Sequence, residues 1–216
     1  MSLRINDVVP NFTAQTDQGE IQFHDWIGES WAILFSHPKD FTPVCTTEFS
    51  AAAQLSDEWA KRNTKVIGLS VDSAEDHTKW KADIASYGKV DPHFPIIADV
   101  GLEISKAFDM LPADAYLPDG RTPADSATVR SVFIIGPDKQ LKLSMTYPMT
   151  VGRNFAEILR ALDGLQTSTK GVATPEGWQV GEDVIIPPTV SNEDAAAKFG
   201  SFETVLPYLR KTQAPA

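Results

Sequence analysis

The chain has 216 residues, 42% of them hydrophobic and 22% charged, enough to bury a sizeable core without disulfides or structural metals. Its 29 acidic and 19 basic side chains leave a net charge of −10, which repels phosphate backbones and anionic lipid and argues against nucleic acid as a partner. No stretch approaches the roughly 18 to 20 apolar residues that cross a bilayer, and the opening segment lacks the apolar run of a signal peptide, so a cytoplasmic protein without a membrane span is expected.

In chain order, Phe12 to Phe23 predicts two short strands around Asp17-Gln18-Gly19, and Trp31 to Ser36 is an apolar run of buried-strand length. A turn-rich stretch, His37 to Pro43, leads into a helical stripe of Phe49, Ala52, Ala53, Leu55, Trp59 and Ala60. Lys65 to Val71 then reads as a second buried strand, completing a β-α-β unit. A helix over Ala74 to Tyr87, with His77 on its solvated face, precedes a short strand, Ile96 to Ala98, and a brief helix, Leu102 to Phe108.

Val129 to Ile135 and Gln140 to Tyr147 flank the tight turn Gly136-Pro137-Asp138-Lys139 and read as an antiparallel pair. An amphipathic helix, Asn154 to Leu165, turns Phe155, Ile158, Leu159 and Leu162 inward. This order predicts an α/β fold over residues 1–166: a thioredoxin-like mixed sheet flanked by helices. Residues 167–216 contain Pro175, Pro187, Pro188, Pro207 and Pro215 and only short apolar stretches. They are expected to form a small C-terminal extension packed on the main domain or on a second subunit.

The single cysteine, Cys45, rules out an intramolecular disulfide. The four histidines, His24, His37, His77 and His93, have no short ligand spacing, so no metal site is expected. Most lone cysteines are inert buried thiols, but the surroundings of Cys45 argue otherwise. Read as a helix start, Thr42 is the N-cap, Pro43 the first helical residue and Cys45 the third. There the sulfur meets unsatisfied N–H groups and the positive end of the helix dipole, which favour thiolate over thiol. His37 lies just past the preceding strand and the Thr42 hydroxyl on the same turn, so both can approach the sulfur.

The run Pro38-Lys39-Asp40-Phe41-Thr42-Pro43-Val44-Cys45 resembles the peroxiredoxin active-site pattern P-x-x-x-T-x-x-C, extended by Thr46-Thr47-Glu48. Ser36-His37-Pro38, Arg130 to Asp138, and Tyr147-Pro148 with Gly152 to Phe155 also resemble segments of the single-cysteine (1-Cys) branch. Val172 to Pro175 and Trp178 resemble its C-terminal dimerisation extension. The resemblance implies a thiol-dependent peroxidase with no metal or organic cofactor. Cys45 would be the peroxidatic thiolate, Arg130 its stabilising cation, and Thr42 a partner of sulfur and peroxide. Pro38 would shield the site, His37 contact the cysteine pocket, Glu48 and Arg153 support Arg130, and Pro148 lie at the rim.

Without a second cysteine, the sulfenic acid formed at Cys45 needs an external thiol, such as glutathione or thioredoxin, to return it to thiol. A homodimer, or a larger ring of dimers, is expected with a hydroperoxide as substrate. The resemblance also raises a phospholipid hydrolase built from Ser30, His24 and Asp138, but Gly28-Glu29-Ser30-Trp31-Ala32 lacks the second glycine of a nucleophile elbow. A reading of another class is a non-enzymatic redox sensor or chaperone-like assembly switched by oxidation of Cys45.

Overall fold

The computed structural model of the chain describes residues 3–115 and 126–215. They divide into two compact units, Met1–Phe155 and Ala156–Ala216. In the first, β1 (Thr13–Thr16) and β2 (Gly19–Gln22) form the predicted hairpin, followed by α1 (Phe23–Ile27) and β3 (Trp31–Ser36). Next come α2 (Pro43–Gln54), α3 (Ser56–Lys61), β4 (Thr64–Ser70), α4 (Ala74–Gly88), β5 (Ile96–Ala98), α5 (Glu103–Ala107), β6 (Arg130–Ile135) and β7 (Leu141–Tyr147). The seven strands lie in the order β2-β1-β5-β4-β3-β6-β7. Strands β3, β4 and β5 run parallel. The outer strands join antiparallel, giving the mixed sheet that the sequence predicts.

Every residue of β3 is buried, which explains its unbroken apolar run: a central strand has no solvent face to keep polar. Its side chains still alternate. Ala32 and Leu34 join Ile67, Leu69, Phe133 and Ile135 in a core cluster with Phe23, Ile27 and Phe108. On the opposite face Phe35 meets Phe49 of α2 with ring centroids 4.8 Å apart, and Phe155 at 5.4 Å. Burying each such phenyl ring contributes on the order of 2–3 kcal/mol, and these contacts press α2 onto the sheet.

The single helical stripe expected from Phe49 to Ala60 is interrupted. The Ser56 hydroxyl donates to Ala53 O at 2.6 Å, and Trp59 Nε1 donates to Ala52 O at 2.9 Å. Those carbonyls would receive the backbone N–H groups of residues 57 and 56 in a continuous helix, so side chains take over the ladder and α2 ends at Gln54. The predicted His77 environment is also corrected: His77 is 0% exposed, because His77, Trp80 and Ile84 form the inward face of α4.

The second unit holds most of α6 (Phe155–Ser168), with β8 (Val184–Ile186), α7 (Asn192–Phe199), β9 (Glu203–Leu206) and β10 (Leu209–Thr212). The three strands form a sheet in the order β8-β10-β9, beside a small cluster of Val172, Trp178 and Val184. The Arg210 guanidinium ties Asn192 Oδ1 to the carbonyls of Pro187 and Val190. No described helix is long and apolar enough to cross a membrane.

Helix α2 crosses β4 where the strand has no side chain. A Cβ added to Gly68 would lie 2.8 Å from the Phe49 ring, a separation that forces the ring or the helix to move. Gly68→Ala should therefore destabilise the fold by about 1–3 kcal/mol, read as a lower urea midpoint at unchanged slope; an unchanged midpoint would show that Phe49 does not pin α2 to the sheet.

Candidate active site

The site gathers at one end of the sheet. Strand β3 ends at Ser36, and its antiparallel register with β6, which pairs Phe35 with Val132, carries on to set Arg130 across from His37. Strand β7 pairs Tyr147 with Arg130, so Pro148 and Met149 emerge at the same end. A parallel strand's C-terminal end is where α/β folds place their binding crevices. The loop after β3 leads here into α2.

Thr42 takes the N-cap position of α2 with extended backbone angles, and Pro43 is the first helical residue, as the sequence predicts. Cys45 falls in the first turn and is 0% exposed. The Thr42 side chain does something different from a cap: its hydroxyl donates to Lys39 O at 2.9 Å and makes no capping bond. Its oxygen keeps lone pairs for a further donor. The first turn is held instead by the Thr46 hydroxyl, which donates to Thr42 O at 2.9 Å.

Arg130 is 3% exposed and reaches the sulfur: Nη1 lies 3.3 Å from Cys45 Sγ and 2.7 Å from Glu48 Oε2. Its Nε donates to Met149 O at 2.8 Å. Glu48 sits one turn beyond Cys45 on α2 and also receives Arg153, from Nε at 2.9 Å and Nη2 at 2.7 Å, together with the Arg153 backbone N–H at 2.7 Å. Arg153 Nη1 then donates to Ser36 O and Ser131 O, and its guanidinium lies 5.0 Å from the Phe35 ring centroid. Burial works to raise the Glu48 carboxyl, but the hydrogen bonds and charge of Arg153, with Arg130, hold it below the ordinary glutamate value of 4.5. Burial pulls Arg153 below the usual guanidinium range, against the pull of Glu48.

His37 is fully buried. Its Nε2 lies 2.6 Å from Asp40 Oδ1, its ring stacks on Trp80 with centroids 4.9 Å apart, and it meets the edge of Phe49 at 4.6 Å. Two residues absent from the expected site complete this cluster. Asp40 Oδ2 lies 2.6 Å from His77 Nδ1, and His77 Nε2 lies 3.1 Å from Ile97 O. The ligand atoms of His37, Asp40 and His77 all fall within 4.8 Å of one another, but these contacts are those of a hydrogen-bonded chain, with His37 Nε2 and His77 Nδ1 each facing an oxygen of Asp40 and His77 Nε2 facing Ile97 O. Asp40 was legible as an unexplained position inside the Pro38 to Cys45 run, and His77 as the first member of the 77, 80, 84 stripe.

Pro38 is buried and Pro148 exposed. A groove of about 380 Å³ opens beside Thr42 and Pro43, with Phe41 and Tyr87 on its walls. The residues of the hydrolase reading have separate partners. Ser30 Oγ donates to Asn63 Oδ1 at 3.0 Å, His24 Nε2 lies 3.0 Å from Val9 O, and Asp138 binds Lys142 Nζ at 2.6 Å. Ser30 therefore has no histidine base, and the geometry gives that reading no support.

Residues 5–144 match the AhpC/TSA family, and residues 164–201 match the C-terminal domain of 1-Cys peroxiredoxin. The mitochondrial peroxiredoxin PRX1 of Saccharomyces cerevisiae is 53% identical over 215 residues, covering 98% of this chain and 81% of that protein. Peroxiredoxin-6 of Mus musculus is 52% identical, covering 99% and 98%. Among solved structures, the yeast mitochondrial 1-Cys peroxiredoxin, described for its thiol-resolving mechanism via glutathione/thioredoxin systems, superposes with a TM-score of 0.89 at 52% identity, covering 98% of this chain and 99% of that one. A mutant of the peroxiredoxin 6 of Arenicola marina gives 0.91 at 45% identity, covering 99% of each chain. The chain belongs to the AhpC/TSA family, in its 1-Cys peroxiredoxin branch, and is a thiol peroxidase.

Proposed function

We propose that Cys45 is the peroxidatic residue and Arg130 the cation that serves it, the observation behind this reading being the 3.3 Å contact of Arg130 Nη1 with Sγ. Glu48 neutralises one of the two buried guanidiniums beside the sulfur, so one positive charge is left over, and an anionic sulfur balances it. The thiolate attacks one oxygen of a hydroperoxide. As the S–O bond forms the O–O bond breaks, the sulfur loses two electrons, and the departing oxygen takes a proton to leave as water or alcohol. Arg130 and the first-turn N–H groups of α2 face the negative charge that develops on the oxygens. Thr42 offers its oxygen to the peroxide O–H, Pro38 keeps water out, and Pro148 forms the rim. Phe41 and Tyr87 in the adjoining groove favour organic hydroperoxides alongside hydrogen peroxide.

Cys45 is the chain's only cysteine, so its sulfenic acid is reduced by an external thiol. Glutathione or thioredoxin is the proposed donor, in line with the systems described for the yeast relative. Resolution requires two such thiols, or one dithiol: the first displaces water to give a mixed disulfide, and the second releases Cys45. A lone thiol that must stay reduced suits a reducing compartment, and the cytoplasm is the one proposed. The proposed assembly is a homodimer; light scattering at micromolar concentration should return twice the chain mass, and a monomer mass would reject it.

The peroxidase reading predicts repeated peroxide consumption with excess dithiothreitol. Cys45→Ser should abolish it, and Arg130→Lys should slow it by about 10²–10³-fold, as for loss of a donor aimed at developing negative charge. Full turnover by Cys45→Ser would overturn the assignment, whereas a single stoichiometric oxidation of the wild type would favour a redox sensor.

The clamp around Glu48 makes a further prediction, about acid stability. Because the folded carboxyl is more acidic than the ordinary value of 4.5, its stabilisation is complete above that value and is lost as pH falls through the folded value. Glu48→Gln should cost about 3–5 kcal/mol near neutrality, since two guanidiniums lose their buried anion. It should also flatten the acid decline in the urea midpoint; a decline as steep as in the wild type would show that the clamp is not its source.

A further inference from the structure

The chain enters α2 through a conformation that side chains disfavour. Phe41 has a φ of 54°, in the left-handed region where a bulky residue is strained and persists only when its surroundings over-determine it. Thr42 follows with extended angles, φ −118° and ψ 146°, the region that Pro43 imposes on the residue before it. Thr42 is held twice. Its hydroxyl donates to Lys39 O at 2.9 Å, and its carbonyl accepts from the Thr46 backbone N–H at 3.0 Å and from the Thr46 hydroxyl at 2.9 Å. The bond from the hydroxyl is surplus to the helix, whose first backbone hydrogen bond already satisfies that carbonyl.

A helical threonine divides between two χ1 rotamers, because one of them lets its hydroxyl bond back to the preceding turn. Trp80 selects that rotamer here. Its Nε1 lies 3.1 Å from Thr46 Oγ1, and since an indole N–H only donates, the Thr46 oxygen accepts and sends its own proton to Thr42 O. Donors therefore run one way, from the indole of α4 through Thr46 to the Thr42 carbonyl, and each bond polarises the next. Trp80 is 0% exposed and packs on His37 and Phe49 with ring centroids 4.9 and 4.7 Å away, so the start of the relay is fixed. We propose that Thr46, locked by Trp80, is a positioning residue of the peroxidase: acting through the Thr42 carbonyl, it holds the strained Phe41-Thr42 entry so that Thr42 Oγ1 presents its lone pairs to the peroxide O–H. This rests on Cys45 being the reacting thiol and Thr42 the acceptor for the peroxide. Arg130 serves the sulfur, whereas Thr46 serves the group that receives the oxygen, so the two roles should separate in the kinetics.

Thr46→Val keeps the shape of the side chain and removes the hydroxyl. The second-order rate constant for Cys45 oxidation by hydrogen peroxide should then fall about 10–100-fold, the scale set by a small displacement of a reacting pair. Thr46→Ser, which keeps the hydroxyl, should retain most of the wild-type rate. Alkylation of Cys45 by iodoacetamide needs the thiolate but not the Thr42 hydroxyl, so its rate and pH profile should be the same in all three proteins; a merely structural loosening would move both reactions together. In the reduced wild type, which needs no variant to fold, the Trp80 indole proton should show the low-field shift of a hydrogen-bonded N–H, and Thr46→Val should move it upfield. A wild-type peroxide rate in Thr46→Val with native circular dichroism, an equal fall in oxidation and alkylation, or a wild-type Trp80 proton at the shift of a free indole overturns the proposal. In each of those cases an inactive Cys45→Ser leaves the site assignment standing. Full turnover by Cys45→Ser overturns the assignment and the proposal together.

Discussion

The structure of the site depends on one carboxylate. Glu48 lies buried between Arg130 and Arg153 and accepts from both guanidiniums and from the Arg153 backbone. Two buried cations without an anion would be strongly unfavourable, so Glu48 is what allows an arginine to stand at 3.3 Å from Cys45 inside the protein. The same clamp joins α2 to the ends of β3 and β6, because Arg153 also bonds the carbonyls of Ser36 and Ser131. Holding the cation and holding the fold are one interaction here.

A second buried network lies beyond the ring of Phe49. It begins at Asp72, which accepts from the Asp40 backbone N–H and the Ser70 hydroxyl, and runs through Asp40 to the two imidazoles. The two networks differ in what they restrain. The glutamate clamp fixes positions with permanently charged guanidiniums, whereas the histidine chain fixes where protons sit, since each ring nitrogen has a role only once its partner is known.

Much of this was legible in the sequence. The central strands show as unbroken apolar runs because they are buried on both faces, and Thr42-Pro43 announces the helix start that sets Cys45 in the first turn. Arg130 and Arg153 were not separable from other basic residues by local pattern, only by resemblance to a family, because their roles depend on strand pairing across the chain. His77 was misread as solvated although it shares an inward stripe with Trp80 and Ile84. A polar residue on an apolar face shows its purpose only when its partner is known, and here the partner, Asp40, lies 37 positions away. The Thr42 hydroxyl went astray for the opposite reason: a nearer acceptor, Lys39 O, competes with the capping role.

Separation along the chain also bears on biosynthesis. Cys45 and Arg130 are 85 positions apart, and Glu48 and Arg153 are 105 apart. A ribosome releases the cysteine long before the strand that carries its cation has been made. Until β6 pairs with β3, Cys45 lacks its Arg130 neighbour, and the reactivity toward peroxide proposed for it would arrive with the closing of the fold. With Cys45 as the proposed peroxidatic residue, heightened sensitivity to oxidant would thus be withheld from the nascent and unfolded chain and granted to a molecule whose surrounding structure is complete.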